Sequence, residues 1–271
     1  MPTTRFLFWN TNRKLLTSVI AHIADSFDID VIVLAESEID PLTALRTLNG
    51  GRGGFHFPAA ISKSVTIFTR FSRDFIQPVS EGNRYSIRRV ELPSRRPILI
   101  VGVHFPSKRH WSTESQAFEC AELARVIAQE EDRAGHRRTV LVGDLNMNPF
   151  EHGLVAAAGL NSVMSRRIAG RQTRTVQGRE YRFFYNPMWC RLGDARGDTA
   201  GSYFYDSAEH VNYYWNVFDQ VLIRPDLAEH FDVSKLKIMT SVGGHPLVRQ
   251  DGRPDNVSYS DHLPIVFELD F

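Results

Sequence analysis

With 271 residues, 42% of them apolar, the chain is long enough for one domain with a sizeable core. A net charge of +1 sets up no global field for a polyanion, so any nucleic-acid reading must rest on local patches. No stretch reaches the ~18 apolar residues of a membrane span, and Met1 to Arg5 carries no signal-type leader. Cys120 and Cys190 match neither a zinc site nor a disulfide framework, which predicts a cytoplasmic protein with incidental thiols.

Arg5-Phe6-Leu7-Phe8-Trp9 reads as a largely buried first strand ending on Asn10-Thr11-Asn12. Leu15, Leu16, Val19, Ile20, Ile23 and Phe27 recur at helical spacing, so the same amides suit a helix cap. A second buried strand over 30–36 ends in Glu36. An acid at that place is costly to bury without a partner; a cation is one solution, a solvated loop the other. A short helix over 41–48 and a glycine-rich turn follow, then strands over 64–69, 84–92 and 97–103. The last of these hands over to His104, the third strand end to carry a polar group of catalytic type. A helix over 115–134 shows Cys120, Leu123, Ala124 and Ile127 on one face and reads as an outer layer without chemistry.

The strand Thr139-Val140-Leu141-Val142 stops at Gly143 and delivers Asp144 and Asn146 at its carboxyl end, where α/β folds keep their chemistry. On an extended chain these two share a face while Leu145 anchors the other. A carboxylate can hold a metal or take a proton from water, and an amide can donate to a phosphoryl oxygen. The competing reading is an Asx-rich turn that caps a helix near 153–158. The pattern dissolves over 161–216, too long for an ordinary connection and therefore expected to be functional. Order returns in a strand over 217–223 carrying Asp219, in 235–239, and in Ser260-Asp261-His262 followed by an apolar strand. Strands interleaved with helices and with antiparallel-type alternation predict an α/β fold of two sheets packed face to face with helices outside. Neighbours on an extended chain point to opposite faces, so the carboxylate that orients His262 is expected from Asp219 rather than Asp261.

In order along the chain, Asn10, Glu36, His104, Gly143-Asp144-Leu145-Asn146, Asp219 and Ser260-Asp261-His262 resemble the pattern of the endonuclease/exonuclease/phosphatase superfamily. The resemblance covers nearly the whole length. It implies one domain over 1–271, a four-layer α/β/β/α sandwich of two packed mixed sheets, and a metal-dependent site that cleaves phosphoester bonds. It also implies roles. Glu36 resembles the main Mg²⁺ ligand, with Asn10 beside it, Asp261 supporting a metal, and Mn²⁺ as a substitute ion. Asp144 is similar to the acid that positions or deprotonates the attacking water, and Asn146 to the amide that holds the phosphate. His262 resembles the histidine that contacts the scissile phosphate, oriented by Asp219. His104 stands where deoxyribonuclease and sphingomyelinase branches carry histidine and apurinic endonucleases carry tyrosine. Asn12 is neutral where some members have an aspartate ligand.

Substrate loops differ most among enzymes that share a scaffold. Within 161–216, Arg166, Arg167, Arg171, Arg174, Arg179 and Arg182 are followed by a run of aromatic residues from Tyr181 to Trp215. Guanidiniums match phosphates and exposed rings match unpaired bases, so Arg171, Arg174, Tyr181 and Trp215 are candidate substrate contacts and nucleic acid is the expected partner. The competing reading is a solvated arginine hairpin followed by aromatics that pack a second small core. A phosphatase or phosphodiesterase acting on inositol phosphates or lipid head groups, and a binding module that kept the fold, are the alternatives. A serine hydrolase built on Ser260 is disfavoured, because no strand-turn-helix elbow presents that residue.

Overall fold

The computed structural model describes residues 3–58, 62, 64–109, 111–195 and 199–271. Met1 and Pro2 of the expected leaderless start, and His110, lie outside them. The first half runs β1 (Thr3–Asn10), α1 (Thr17–Ser26), β2 (Val31–Ala35), α2 (Pro41–Leu48), β3 (Val65–Thr69), β4 (Ile76–Glu81), β5 (Tyr85–Val90), β6 (Ile98–His104), α3 (Thr113–Ala134) and β7 (Thr139–Asp144). Next come α4 (His152–Val155), β8 (Ser162–Val163), α5 (Arg166–Ala169), β9 (Thr173–Val176), β10 (Arg179–Arg182), β11 (Phe184–Tyr185), β12 (Tyr203–Tyr205), β13 (Tyr214–Asn216) and β14 (Asp219–Ile223). The chain closes with β15 (Lys237–Ile238), a small hairpin of β16 (Ser241–Val242) and β17 (His245–Pro246), and β18 (Ile265–Asp270).

Two large sheets form, ordered β15-β18-β1-β2-β3 and β4-β5-β6-β7-β14-β11-β8. Alternation along the strands explains the layering. Phe6 and Phe8 point inward with Val31 and Val33 to meet Ile98, Ile100, Val140, Val142 and Val221 from the other sheet. Leu7 and Trp9 point outward onto Ile20, Ile23 and Ala24 of α1 and Ala44 and Leu48 of α2. Leu99, Val101 and Leu141 point outward on the second sheet, against Cys120, Leu123 and Ile127 of α3. The fold is thus the four-layer α/β/β/α sandwich. Strands buried on both faces need the continuous apolar runs seen in the sequence. Each fully buried phenylalanine of the middle layer, such as the stacked pair Phe6 and Phe267 with centroids 4.7 Å apart, contributes about 1.5–3 kcal/mol.

Several elements differ from expectation. Helix α1 starts at Thr17, and Leu15, assigned to its apolar face, is 75% exposed. The edge strand β4 has no counterpart among the expected elements, because Pro78 and polar residues interrupt any apolar alternation. The helix expected near 153–158 is the single turn α4. The stretch 161–216 is not one irregular loop; it holds β8 to β13, in pieces of two to four residues.

Candidate active site

Five strand ends, three from one sheet and two from the other, meet where the site forms. In the second sheet, Asp144 ends β7, flanked in the ladder by His104 of parallel β6 and by Asp219 of antiparallel β14. Gly143 precedes it because a Cβ there would collide with the Val103 carbonyl of the neighbouring strand. In the first sheet, Asn10 ends β1 beside Ala35 of parallel β2, and Glu36 is the next residue. His262 lies on the segment leading into β18.

The side chains then pair across the two sheets. Asn10 Nδ2 donates to Asp144 Oδ2 at 2.8 Å and to Glu36 Oε1 at 3.3 Å. His104 Nε2 lies 3.3 Å from Glu36 Oε1. His262 Nδ1 lies 2.9 Å from Asp219 Oδ2. Asp144 Oδ2 is the hub: Asn146 Nδ2 is 3.2 Å from it, His262 Nε2 3.8 Å and His104 Nε2 3.9 Å. Those last two separations are too long for hydrogen bonds, so neither imidazole is consumed by this carboxylate. Asn10, Asp144, Asp219 and His262 are buried, while Glu36 and His104 are partly open to solvent.

The backbone is bent to suit. Asn12, Glu36 and Asn146 have φ of 45°, 47° and 48°, the left-handed region that costs a non-glycine residue energy. The turn at Asn146 lets its own N–H donate to Asp144 Oδ1 at 2.8 Å. Ser260 Oγ donates to the Asn10 carbonyl at 2.7 Å and accepts from the His262 N–H at 3.1 Å, tying the two chain ends together. Trp9 Nε1 donates to the His262 carbonyl at 2.8 Å.

Charge follows geometry. The hydrogen bond from His104 holds the Glu36 carboxyl down at about 2. Burial alone would lower the basicity of His262, but the carboxylates of Asp219 and Asp144 outweigh it and push the imidazole up to about 10. His104 moves up in the same way, burial being outweighed by Glu36 and Asp144. The His262 ring is therefore cationic near neutral pH, and the same acids favour the charged form of His104.

Of the residues singled out in the sequence, the structure brings Asn10, Glu36, His104, Asp144, Asn146, Asp219 and His262 together. Among the described residues Asp261 makes no hydrogen bond to these side chains, its Oδ1 lying 3.4 Å from Ser260 Oγ, but its charge acts on His262. Asn146 spends its amide on the Phe105 carbonyl at 2.8 Å as well as on Asp144. The arginine hairpin does not join the site. Arg182 donates to Glu131 and Asp132, Glu131 also receives Thr139 Oγ1, and Thr139 is the first residue of β7. That end of the strand is roughly 17 Å from Asp144 at the usual rise per residue. Arg174 donates to the Val155 carbonyl and covers Phe183, and Tyr181 pairs with it across β9 and β10. Arg171 is exposed, and Gln172 beside it shares a cleft with Glu131, Gly135 and Arg137. Arginines that serve the protein's own acids and carbonyls carry no signature distinguishing them from phosphate ligands. Trp215 packs edge-on against Phe204, with centroids 5.4 Å apart. Tyr203, which the sequence offered only as one ring of many, lies 4.6 Å from the His262 ring.

The Endonuclease/Exonuclease/phosphatase family model matches residues 7–262, which spans all of these residues. The chain belongs to that family. No curated protein matches the sequence. Solved structures that it resembles include an endonuclease/exonuclease/phosphatase family protein from Bacteroides thetaiotaomicron, at TM-score 0.60 and 14% identity over 99% of this chain and 95% of that one. Another is D. rerio TDP2 complexed with single strand DNA product, at TM-score 0.57 and 16% identity over 100% of both chains. A third is the 3' phosphatase NExo from Neisseria bound to product DNA hairpin, at TM-score 0.55 and 14% identity over 99% of this chain and 100% of that one. At such identities the likeness speaks for the fold the family shares.

Proposed function

We propose that the chain is a divalent-metal-dependent phosphodiesterase that hydrolyses nucleic-acid phosphodiester bonds by attack of water. The observation that carries this reading is Asp144 Oδ2, an acceptor set among two amide donors and two imidazoles that remain 3.8 and 3.9 Å away. Asp144 orients the attacking water and takes its proton. His262, cationic and fixed by Asp219, donates from Nε2 to the phosphoryl group, and His104 braces Glu36 on the other side, its Nε2 3.3 Å from Oε1. Asn146 would reach the phosphate by giving up its 3.2 Å bond to Asp144 and keeping the one to Phe105.

Glu36 and Asn10 fit a hard cation. They offer oxygen donors, Glu36 is ionised well below neutrality, and Mg²⁺ needs only one or two carboxylates. Mn²⁺ suits the same donors. Bound there, the ion would neutralise charge on the non-bridging oxygens. Asp144, Asp219 and His262 also bring ligand atoms within 4.8 Å of one another. We assign that group to proton handling instead, because Nδ1 of His262 and the Asp219 carboxylate already satisfy each other.

Nucleic acid is favoured as substrate by rings rather than by the arginines. Phe150 and Tyr213, 37% and 56% exposed, pack edge-to-face with centroids 5.5 Å apart, and Phe150 follows the Asp144 strand by six residues. Exposed faces of this kind suit unpaired bases. The DNA-bound neighbours agree with it. The test is one panel: single- and double-stranded DNA and RNA, an inositol phosphate and sphingomyelin, each with Mg²⁺, Mn²⁺ or EDTA. Cleavage of a single-stranded oligonucleotide with metal and none in EDTA is expected. Turnover of the inositol phosphate or sphingomyelin alone would overturn the nucleic-acid reading, and full activity in EDTA the metal one.

A further inference from the structure

The Asp219 bond fixes one edge of the His262 ring but not its tilt. An imidazole held at Nδ1 can still swing about that contact, because the terminal torsion of histidine is broad. Swinging would carry Nε2 away from Asp144. A second contact is needed to set the ring, and it comes from β12.

Tyr203 forms an antiparallel bridge with His262, and Leu263 N–H donates to the Ser202 carbonyl at 2.8 Å. The Tyr203 ring lies on the imidazole with centroids 4.6 Å apart and planes inclined by 38°. Behind it, Phe218 stacks on Tyr203 at 5.3 Å and 25°. Ser202 Oγ accepts the Asp219 N–H at 3.2 Å, so the same dipeptide touches both members of the pair. The hairpin is anchored in turn: Tyr203 pairs with Asn216, whose Oδ1 accepts from Asn148 Nδ2 at 2.8 Å. Ring packing over the imidazole face removes the freedom that the hydrogen bond leaves.

We infer that Tyr203 is a positioning residue, whose ring face sets the tilt of His262 and hence the aim of Nε2. The inference rests on the role proposed for His262. It assigns the function to the ring and none to the phenol oxygen, and it places Tyr203 behind the histidine rather than against substrate.

The test compares Tyr203→Phe and Tyr203→Leu in the full chain, with bis(p-nitrophenyl) phosphate and Mg²⁺ as probe. The leucine variant should lose on the order of 10-fold or more in kcat through misaimed geometry, with KM changed less than about twofold, while phenylalanine stays near wild type. In a His262→Ala background the leucine substitution should add less than about twofold, since two residues acting as one unit are not additive. A readout independent of turnover is the His262 ring C–H resonance in histidine-labelled protein. Tyr203 should shift it upfield; the shift should survive in phenylalanine and vanish in leucine. If leucine proves unfolded by circular dichroism, Tyr203→Met carries the same comparison. An unchanged His262 resonance in the leucine variant, equal losses in phenylalanine and leucine, or an undiminished loss in the His262→Ala background would overturn the inference. Full activity of His262→Ala itself would overturn the proposed function instead, and the resonance would still decide the contact.

Discussion

Asp144 and Asp219 are directly opposed partners in the β7–β14 ladder, and the His262 ring stands between them, Nδ1 2.9 Å from one carboxylate and Nε2 3.8 Å from the other. Like charges facing each other across strands repel, the more so where both are buried. The imidazolium is therefore the counter-charge of the two carboxylates, in addition to the donor role proposed for it.

His262→Ala should lower kcat by a factor on the order of 10² or more. It should also lower stability, because it leaves two buried carboxylates face to face. Asp219→Asn should cost less activity. In the double variant Asp219→Asn should restore part of the stability lost in His262→Ala, since it removes one of the two facing charges. Denaturant midpoints of the four proteins check this; additive losses would separate Asp219 from His262.

Glu36→Ala should abolish stimulation by a divalent cation, read by turnover with and without Mg²⁺ and by calorimetric titration. The same carboxyl makes a pH statement for the metal-free protein. Its folded value of about 2 is below the ordinary 4.5, so it contributes stability that is fully present above 4.5 and is lost as pH falls toward 2. Unfolding of Glu36→Gln in EDTA should show a shallower loss across that window than wild type. Parallel curves would mean that the bond to His104 does not hold the carboxylate.

Ser260→Ala should keep most of the turnover and lose about 1–2 kcal/mol of stability. Its hydroxyl is spent on the Asn10 carbonyl and the His262 N–H, buried partners left unsatisfied by the change. Complete inactivation of a folded Ser260→Ala protein would revive the serine-hydrolase reading.

Glu131→Ala should destabilise by about 3–5 kcal/mol, as expected when one partner of a buried ion pair is removed. The Glu131 side chain is 0% exposed and receives Arg224, Arg182 and Thr139. The kcat of the folded fraction should hold, because the network closes the other end of β7. Because Arg174 is spent on the Val155 carbonyl and the Phe183 ring, Arg171→Ala with Arg174→Ala should reduce thermal stability and leave the salt dependence of oligonucleotide binding unchanged. A flattened salt slope would return those arginines to the substrate.

Much of this was legible in the residues, for identifiable reasons. Strands β1, β2, β6 and β7 are buried on both faces, and burial on both faces writes itself as an unbroken apolar run that ends abruptly on a polar residue. Asn10, Glu36, His104 and Asp144 are those polar residues. The Asp219–His262 pairing followed from the two-residue period of an extended chain. What stayed hidden depends on contacts distant in sequence. The strands over 161–216 are too short for a period to register, and Arg182 and Tyr203 take their meaning from Glu131 and His262, which lie 51 and 59 positions away in the numbering. The polar edge strand β4 has the composition of a loop.

Asn10 to Asp144, Glu36 to His104 and Asp219 to His262 each join one sheet to the other. No half of the sandwich owns a working centre, so catalysis becomes a gauge of how the halves sit. A slide of about 1 Å between the layers would leave every strand and helix intact in circular dichroism and still strain all three pairs together. Heat, pressure or a cavity cut beneath the stacked Phe6 and Phe267 should then silence the enzyme several degrees before it melts, and a substrate that bridges the seam should act as a clasp that raises the temperature at which silence falls.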